Sequence, residues 1–347
     1  MEGNSHMSSP TVCPLLPSLV VRSALVSAMT LATFAAPFLA AAQPSQKVFR
    51  VGHLAQGGGT PDGAPPRALR DALRALGYVE SQSVSYEARF AEGRMERLPG
   101  LATELVRLKV DVIVAQGGLA TEAARQATST IPIVMAPAAG DAVTLGWIAS
   151  LARPGANVTG LSDESIQLSA KRMELLKEAV PKAAVIAVIW NNNDQGMTLR
   201  YREVEKAARI LGVEIQPLGV RDHEDFANIF ATMTRQRPDA MFLVADGLTN
   251  MNRKRLVEFA ATHKIPAMYE LDFIVREGGL MSYGPRGEDA FREAAGYVDR
   301  ILKGAKPADL PAMQPTRYYL AVNVKTATTL GLTIPQSLLL RADDLVQ

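Results

Sequence analysis

The sequence predicts an α/β protein made of two similar lobes, each a parallel sheet with helices on its faces. Three observations predict it. First, one pattern occurs twice. It reads Leu76-Gly77-Tyr78, then Asp111-Val112-Ile113-Val114-Ala115-Gln116-Gly117, then Ile131-Pro132-Ile133-Val134; it returns as Leu211-Gly212-Val213, then Asp239-Ala240-Met241-Phe242-Leu243-Val244-Ala245-Asp246-Gly247, then Ile265-Pro266-Ala267-Met268. Each copy is a helix end, an apolar strand closing in a small polar turn, a helix and another strand. Second, the apolar runs are short and nearly continuous, as in parallel strands buried on both faces. Third, these runs alternate with segments of helical spacing, the signature of a doubly wound sheet.

The elements follow in order. Residues 48–54 form an apolar strand, and 56–66 a Gly/Pro-rich turn. Residues 67–77 have helical spacing, with Leu69, Leu73 and Leu76 on one face and Gly77 as the stop. A strand at 83–88 precedes a helix at 94–109, whose Leu98, Leu101, Leu105 and Leu108 face inward. Strands at 111–115 and 131–136 complete the first lobe, and 155–161 is the exit from it. A helix at 164–180, stopped by Pro181, opens the second lobe. There strands at 184–190, 213–217 and 241–245 alternate with helices at 197–211, 226–237 and 253–264. A strand at 279–283, an amphipathic helix at 288–303, a Pro-rich linker at 303–315, a strand at 318–324 and a short helix close the chain.

Ahead of both lobes lies an apolar run at 24–42, with Arg22 before it and Ala40-Ala41-Ala42 at its end. A charged start, an apolar centre and a small-residue exit describe a cleavable export signal, with cleavage expected after Ala42. As a membrane anchor the run is marginal in length, carries Ser, Thr and Pro, and lacks a basic flank after it. Residues 1–21 read as an extension outside the fold. Cys13, the single cysteine, precedes the run and so does not fit a lipoprotein, and disulfide and thiol chemistry are not expected after cleavage. With 37 basic and 35 acidic residues the formal net charge is +2, which gives no electrostatic case for nucleic acid or an anionic membrane. His6, His53, His223 and His263 show no metal-ligand spacing, and no cofactor is expected.

In open parallel sheets ligands sit outside the carboxyl ends of the strands. That rule selects 56–60, 116–121, 136–141, 190–194, 246–250, 269–272 and 283–284. Gln56 leaves the first strand. Gly118 leads into a helix with Thr121 in its first turn, where free N–H groups and the helix dipole favour a carboxylate; the alternative is a plain strand-to-helix turn. Asp246, at the matching place in the second copy, could hold a ligand ammonium or cap the next helix. Asp141 has the same two readings. Trp190 could stack on a planar ligand or pack in the core, and Tyr269 and Tyr283 stand at strand ends with the same choice. His53 reads as packed. Dinucleotide, P-loop and nucleophile-elbow patterns are missing. An exported two-lobed α/β chain without a visible catalytic set is most simply a solute-binding protein, not an enzyme.

Particular runs carry a resemblance. They are Gly93-Arg94, Glu96-Arg97-Leu98-Pro99, Val110-Asp111-Val112-Ile113-Val114 and Ser129-Thr130-Ile131-Pro132-Ile133-Val134. The most specific are Leu151-Ala152-Arg153-Pro154-Gly155-Ala156-Asn157-Val158-Thr159-Gly160 and Gly279-Leu280-Met281-Ser282-Tyr283-Gly284, joined by Lys303-Gly304-Ala305-Lys306-Pro307-Ala308-Asp309-Leu310-Pro311. From Val51 to Val346 the chain resembles the ABC-transporter substrate-binding proteins of the tryptophan/tyrosine-type family. The resemblance implies a type I periplasmic-binding fold, two Rossmann-like lobes joined by three crossing segments with the ligand between them. By analogy lobe 1 is 48–160 plus 284–310, and lobe 2 is 161–283 plus 311–347. Hinges then fall near Thr159-Gly160-Leu161, Tyr283-Gly284 and 311–316.

The resemblance also implies a monomer in the periplasm that delivers a small solute to a membrane permease and its ATPase. An aromatic amino acid or aromatic acid is the first expectation for the solute. The chain departs from common family wording at Gly57-Gly58-Gly59-Thr60, at Ala142 and at Gly247. The rival readings are a periplasmic sensor module for a receptor and, more remotely, an α/β enzyme.

Overall fold

The computed structural model describes residues 47–136, 141–162 and 165–347. The expected export signal, the extension ahead of it and Cys13 lie outside the described residues, as does 137–140 of the selected segment 136–141.

The first lobe runs β1 (Phe49–Ala55), α1 (Arg67–Ala75), β2 (Val84–Phe90), α2 (Leu98–Arg107), β3 (Val112–Gln116), α3 (Gly118–Ala127), β4 (Ile133–Met135) and β5 (Val158–Gly160). Its sheet is parallel throughout, in the order β2-β1-β3-β4-β5. Strand parity explains its two cores. Val112 and Val114 face α1, while Ile113 and Ala115 face α2 and α3.

The second lobe runs α4 (Ser165–Ala179), β6 (Val185–Asn191), α5 (Gln195–Ile210), β7 (Glu214–Val220), α6 (Asp225–Arg235), β8 (Ala240–Leu243), α7 (Gly247–Met251), α8 (Arg253–Thr262), β9 (Ala267–Tyr269), α9 (Asp272–Arg276) and β10 (Met281–Gly284). The chain then returns α10 (Gly287–Leu302) to the first sheet, where Phe291, Ala294 and Val298 join Val51 and Val134. It re-enters the second lobe as β11 (Tyr319–Asn323), α11 (Val324–Leu330), α12 (Gln336–Arg341) and β12 (Asp344–Val346). The second sheet is ordered β12-β11-β10-β9-β8-β6-β7.

Most expected elements fall within a few residues of their observed bounds. One helix expected at 94–109 is instead a 3-10 turn at Met95–Arg97 followed by α2, with Pro99 in the first turn where no N–H is needed. The short elements β5, α7, α9, α12 and β12 carry too few residues to show a period. One pair departs from the parallel pattern: β10 and β11 are antiparallel, with Gly284 opposite Tyr319. The cause is the chain path. β10 leaves the second lobe where β11 comes back into it, so the two run in opposite senses.

Three segments pass between the sheets, at 160–162, 284–287 and 310–318. The first and last are tied together. Leu161 bridges Met313, Met313 N–H donates to the Gly160 carbonyl at 2.9 Å, and the Thr159 hydroxyl donates to the Leu310 carbonyl at 2.7 Å.

Candidate functional site

A cavity of about 790 Å³ lies between the carboxyl ends of the two sheets. Its first-lobe wall is made of Gln56 after β1, Pro66 to Ala68 at the start of α1, Gln116-Gly117 after β3, Ala136 after β4, and Arg286 to Glu288 with Phe291 at the start of α10. The helices α1, α3 and α10 therefore all present their N-terminal ends to it, and none of the three is capped by a side chain. Helix starts carry partial positive charge and unpaired N–H groups, so α1 and α3, whose first turns hold no acidic residue, favour an anionic group, whereas α10 sets Glu288 and Asp289 in its first turn. Gly117 has φ 97°, and a Cβ there would fall 1.5 Å from Gln56 Oε1. Only glycine lets the Gln56 amide lie against the start of α3.

The second-lobe wall is dominated by buried charge. Glu270, directly after β9, lies 3.2 Å from Arg172 Nη1 through Oε1 and 3.0 Å from Arg200 Nη1 through Oε2. Arg172 also donates through Nε to the Tyr283 carbonyl at 2.6 Å, at the second crossing. Asp246 is almost fully buried and accepts from Thr249 N–H (2.8 Å), Thr249 Oγ1 (3.0 Å) and Asn191 Nδ2 (2.6 Å). Burial pushes its carboxyl above the usual range, and the Thr249 and Asn191 donors oppose that shift. Behind it Asp194 caps α5, accepting from Gly196 N–H at 2.8 Å and Met197 N–H at 3.3 Å. Burial first, and then the charge of Asp246, push Asp194 up to about 6.

Of the residues singled out by sequence, Gln56 and Asp246 line the cavity from opposite lobes. Gly118 is the first residue of α3, directly behind the lining Gly117. Thr121 is fully buried, and its hydroxyl donates to the Gly117 carbonyl at 3.0 Å, so it braces the helix start from behind. Asp141 is followed by a turn and not by a helix to cap, and it closes that turn by accepting from the N–H groups of Val143 and Thr144, each at 3.1 Å, away from the cavity lining.

The three aromatic candidates are moved from the cleft wall to the cores. Trp190 stacks on Tyr201 of α5 at 3.9 Å between ring centroids. Tyr269 is fully buried beside Ile274, and burial raises its hydroxyl pKa. Tyr283 packs on the core under α4 and α5, with its ring 6.1 Å from that of Tyr318. Strand parity is the reason. All three lie inside strands, so their side chains point to the sheet faces that helices cover, while the cavity is walled by the loops beyond. His53 is packed as expected, fully buried between Phe90 and Phe291, and burial lowers its pKa to about 4.

The reading by strand ends missed Arg172 and Arg200, which lie on helices. Their signal was present. Leu168, Arg172 and Leu176 share one buried stripe of α4, and Met197, Arg200 and Val204 one of α5. An arginine in an apolar stripe needs a buried partner, and Glu270 supplies it. The apolar lining includes Ala68, Leu161, Leu271, Phe273 and Phe291. Among the described residues no group of three His, Cys, Asp or Glu could hold a metal ion, and no helix is long and apolar enough to cross a membrane.

Two α/β lobes, three crossings between them and a polar cavity at the facing strand ends define a ligand-binding protein of the type I periplasmic-binding fold. Comparison with known proteins agrees. The chain belongs to the ABC transporter substrate binding protein family, which matches residues 66–346. It is 26% identical over 262 residues to a tyrosine-binding protein of Clostridioides difficile, covering 75% of this chain and 74% of that one. Among solved structures it is similar to a conserved domain protein of Vibrio cholerae, with 26% identity, a TM-score of 0.79, and coverage of 86% of this chain and 100% of that one. An ABC domain from Streptococcus pneumoniae in complex with L-Trp shares the fold at a TM-score of 0.78 and 24% identity, with the same coverage. Proteins of this family bind small solutes and work with the permease and ATPase of an ABC transporter.

Proposed function

We propose that this chain is the periplasmic binding component of an importer and that its solute is a zwitterionic amino acid, an aromatic one first. The observation that carries the reading is that the start of α3 and the Asp246 carboxylate face one cavity from opposite lobes. The first lobe offers the uncapped starts of α1 and α3, and the second offers the buried carboxylate of Asp246. The ligand carboxylate would meet the start of α3 at Gly117-Gly118, beside Gln56, and its ammonium would meet Asp246. Phe291 and Leu161 would cover the apolar part. The names of the C. difficile and S. pneumoniae relatives support an aromatic side chain. Export through the signal at 24–42, action as a monomer, and closure of the two lobes about the three crossings belong to the same proposal.

The test is calorimetric titration of Asp246→Asn. Asparagine keeps an acceptor for Thr249 N–H, so α7 stays capped, but the charge is gone. L-Tryptophan and L-tyrosine should bind about a hundred-fold more weakly than to the parent protein. Indole-3-propionate, which lacks the ammonium, should lose far less. Equal losses for both kinds of ligand would remove Asp246 as the ammonium partner.

A further inference from the structure

The two lobes also touch each other beside the cavity. A Cβ placed on Gly247, the first residue of α7, would fall 2.4 Å from Gln56 Cβ, 2.9 Å from the Gln56 carbonyl carbon and 3.0 Å from Met95 Cε. Gly247 belongs to the second lobe; Gln56 and Met95 belong to the first. Met95 packs against the α2–α3 core of its own lobe and against the α6–α8 core of the other. Two further contacts lie alongside. A Cβ on Gly93 would meet His223 Nε2 at 2.6 Å, and a Cβ on Gly58 would meet Met251 Sδ at 3.1 Å. His223 is held by the Asn252 side-chain amide at 2.8 Å.

We propose that Gly247 is the residue that lets the lobes lock together, and that this lock sets how long a ligand is retained. Two neighbours of a Cβ at 247 are a backbone carbon and the Cβ attached to that residue's backbone, neither of which can swing aside. The lobes would have to part to admit it. Gln56 and Gly247 both line the cavity, and Gln56 is also the surface on which Gly247 rests. The lock and the binding site therefore share both residues, and parting the lobes withdraws one wall. The proposal rests on the reading that this cleft holds the ligand, but the lock itself does not depend on which ligand that is.

The experiment compares the parent with Gly247→Ala, using Gly296→Ala as control, since a Cβ at 296 meets nothing within 4 Å. Small-angle scattering reads the lobe separation without any ligand, and stopped-flow reads L-tryptophan dissociation. Gly247→Ala should raise the radius of gyration and speed dissociation about ten-fold or more, with association changed by less than about three-fold. The control should match the parent in both. A Gly58→Cys/Met251→Cys variant gives a second reading, since oxidation should join the lobes and keep the parent's radius of gyration. Superimposable scattering curves and equal dissociation rates for Gly247→Ala and the parent would overturn the proposal. If L-tryptophan does not bind the parent, the ligand reading fails, and scattering still decides the lock.

Discussion

Replacing Asp194 with asparagine should stabilise this protein at neutral pH and leave it unchanged in acid. Asp194 is 4% exposed. Its Oδ1 caps α5, while its buried Oδ2 has no hydrogen-bond partner among the described residues. Its carboxyl is raised from 3.8 to about 6. An unfolded chain releases this proton near 3.8, whereas the folded chain keeps it until about 6, so in that window the folded state binds more protons and stability falls as pH rises. The penalty is absent below about pH 4 and complete above about pH 6. The gap corresponds to about 3 kcal/mol at neutral pH. Asparagine keeps the capping oxygen and removes the charge, but it also gives up the attraction of Arg200, which offsets part of the gain. A net gain of about 1–2 kcal/mol at pH 7.5 is expected, together with loss of the stability slope between pH 4 and 6. Urea unfolding at pH 3.5, 5 and 7.5 measures it. Equal destabilisation of Asp194→Asn at all three values would refute the reasoning, because the carboxylate would then contribute only its shape and hydrogen bonds.

Other substitutions test the remaining parts of the site. Glu270→Ala strips the buried partner of Arg172 and Arg200 and should cost about 3–5 kcal/mol in urea unfolding, whereas a loss under about 1 kcal/mol would mean that the two guanidinium groups do not depend on it. Trp190→Phe gives up part of the stack on Tyr201 and should cost about 1–2 kcal/mol while amino-acid affinity stays within about two-fold; a ten-fold loss of affinity would return the indole to the binding site.

The fold was legible because buried parallel strands leave an unmistakable record. Runs such as Val112-Ile113-Val114 serve two cores at once, so both parities must be apolar. The antiparallel pairing of β11 was not legible, since its direction comes from where the chain re-enters the lobe and not from its own residues. At the site, the rule of strand ends located the right loops: those bearing Gln56, Gly117, Asp246 and Glu270 all line the cavity. It misled for Trp190, Tyr269 and Tyr283, which are the last or nearly the last residues inside their strands, where parity and not position decides the direction of the side chain. Arg172 and Arg200 reach the cavity from helices that begin at strand ends, and only the broken apolar stripe betrays them. The lobe contact at Gly247 joins residues from different lobes, and its one trace in the sequence is that Gly58 and Gly247 depart from common family wording.

Amino-acid binding in this cleft is tested most directly by isothermal titration of the refolded protein, freed of carried-over solute, with L-tryptophan and L-tyrosine alongside indole-3-propionate, L-leucine and a hexose. Saturable binding at one site is expected for an aromatic amino acid, with much weaker heats for its ammonium-free analogue and none for the sugar. Tight binding of the hexose or of the ammonium-free acid, with no heat from any amino acid, would contradict that expectation.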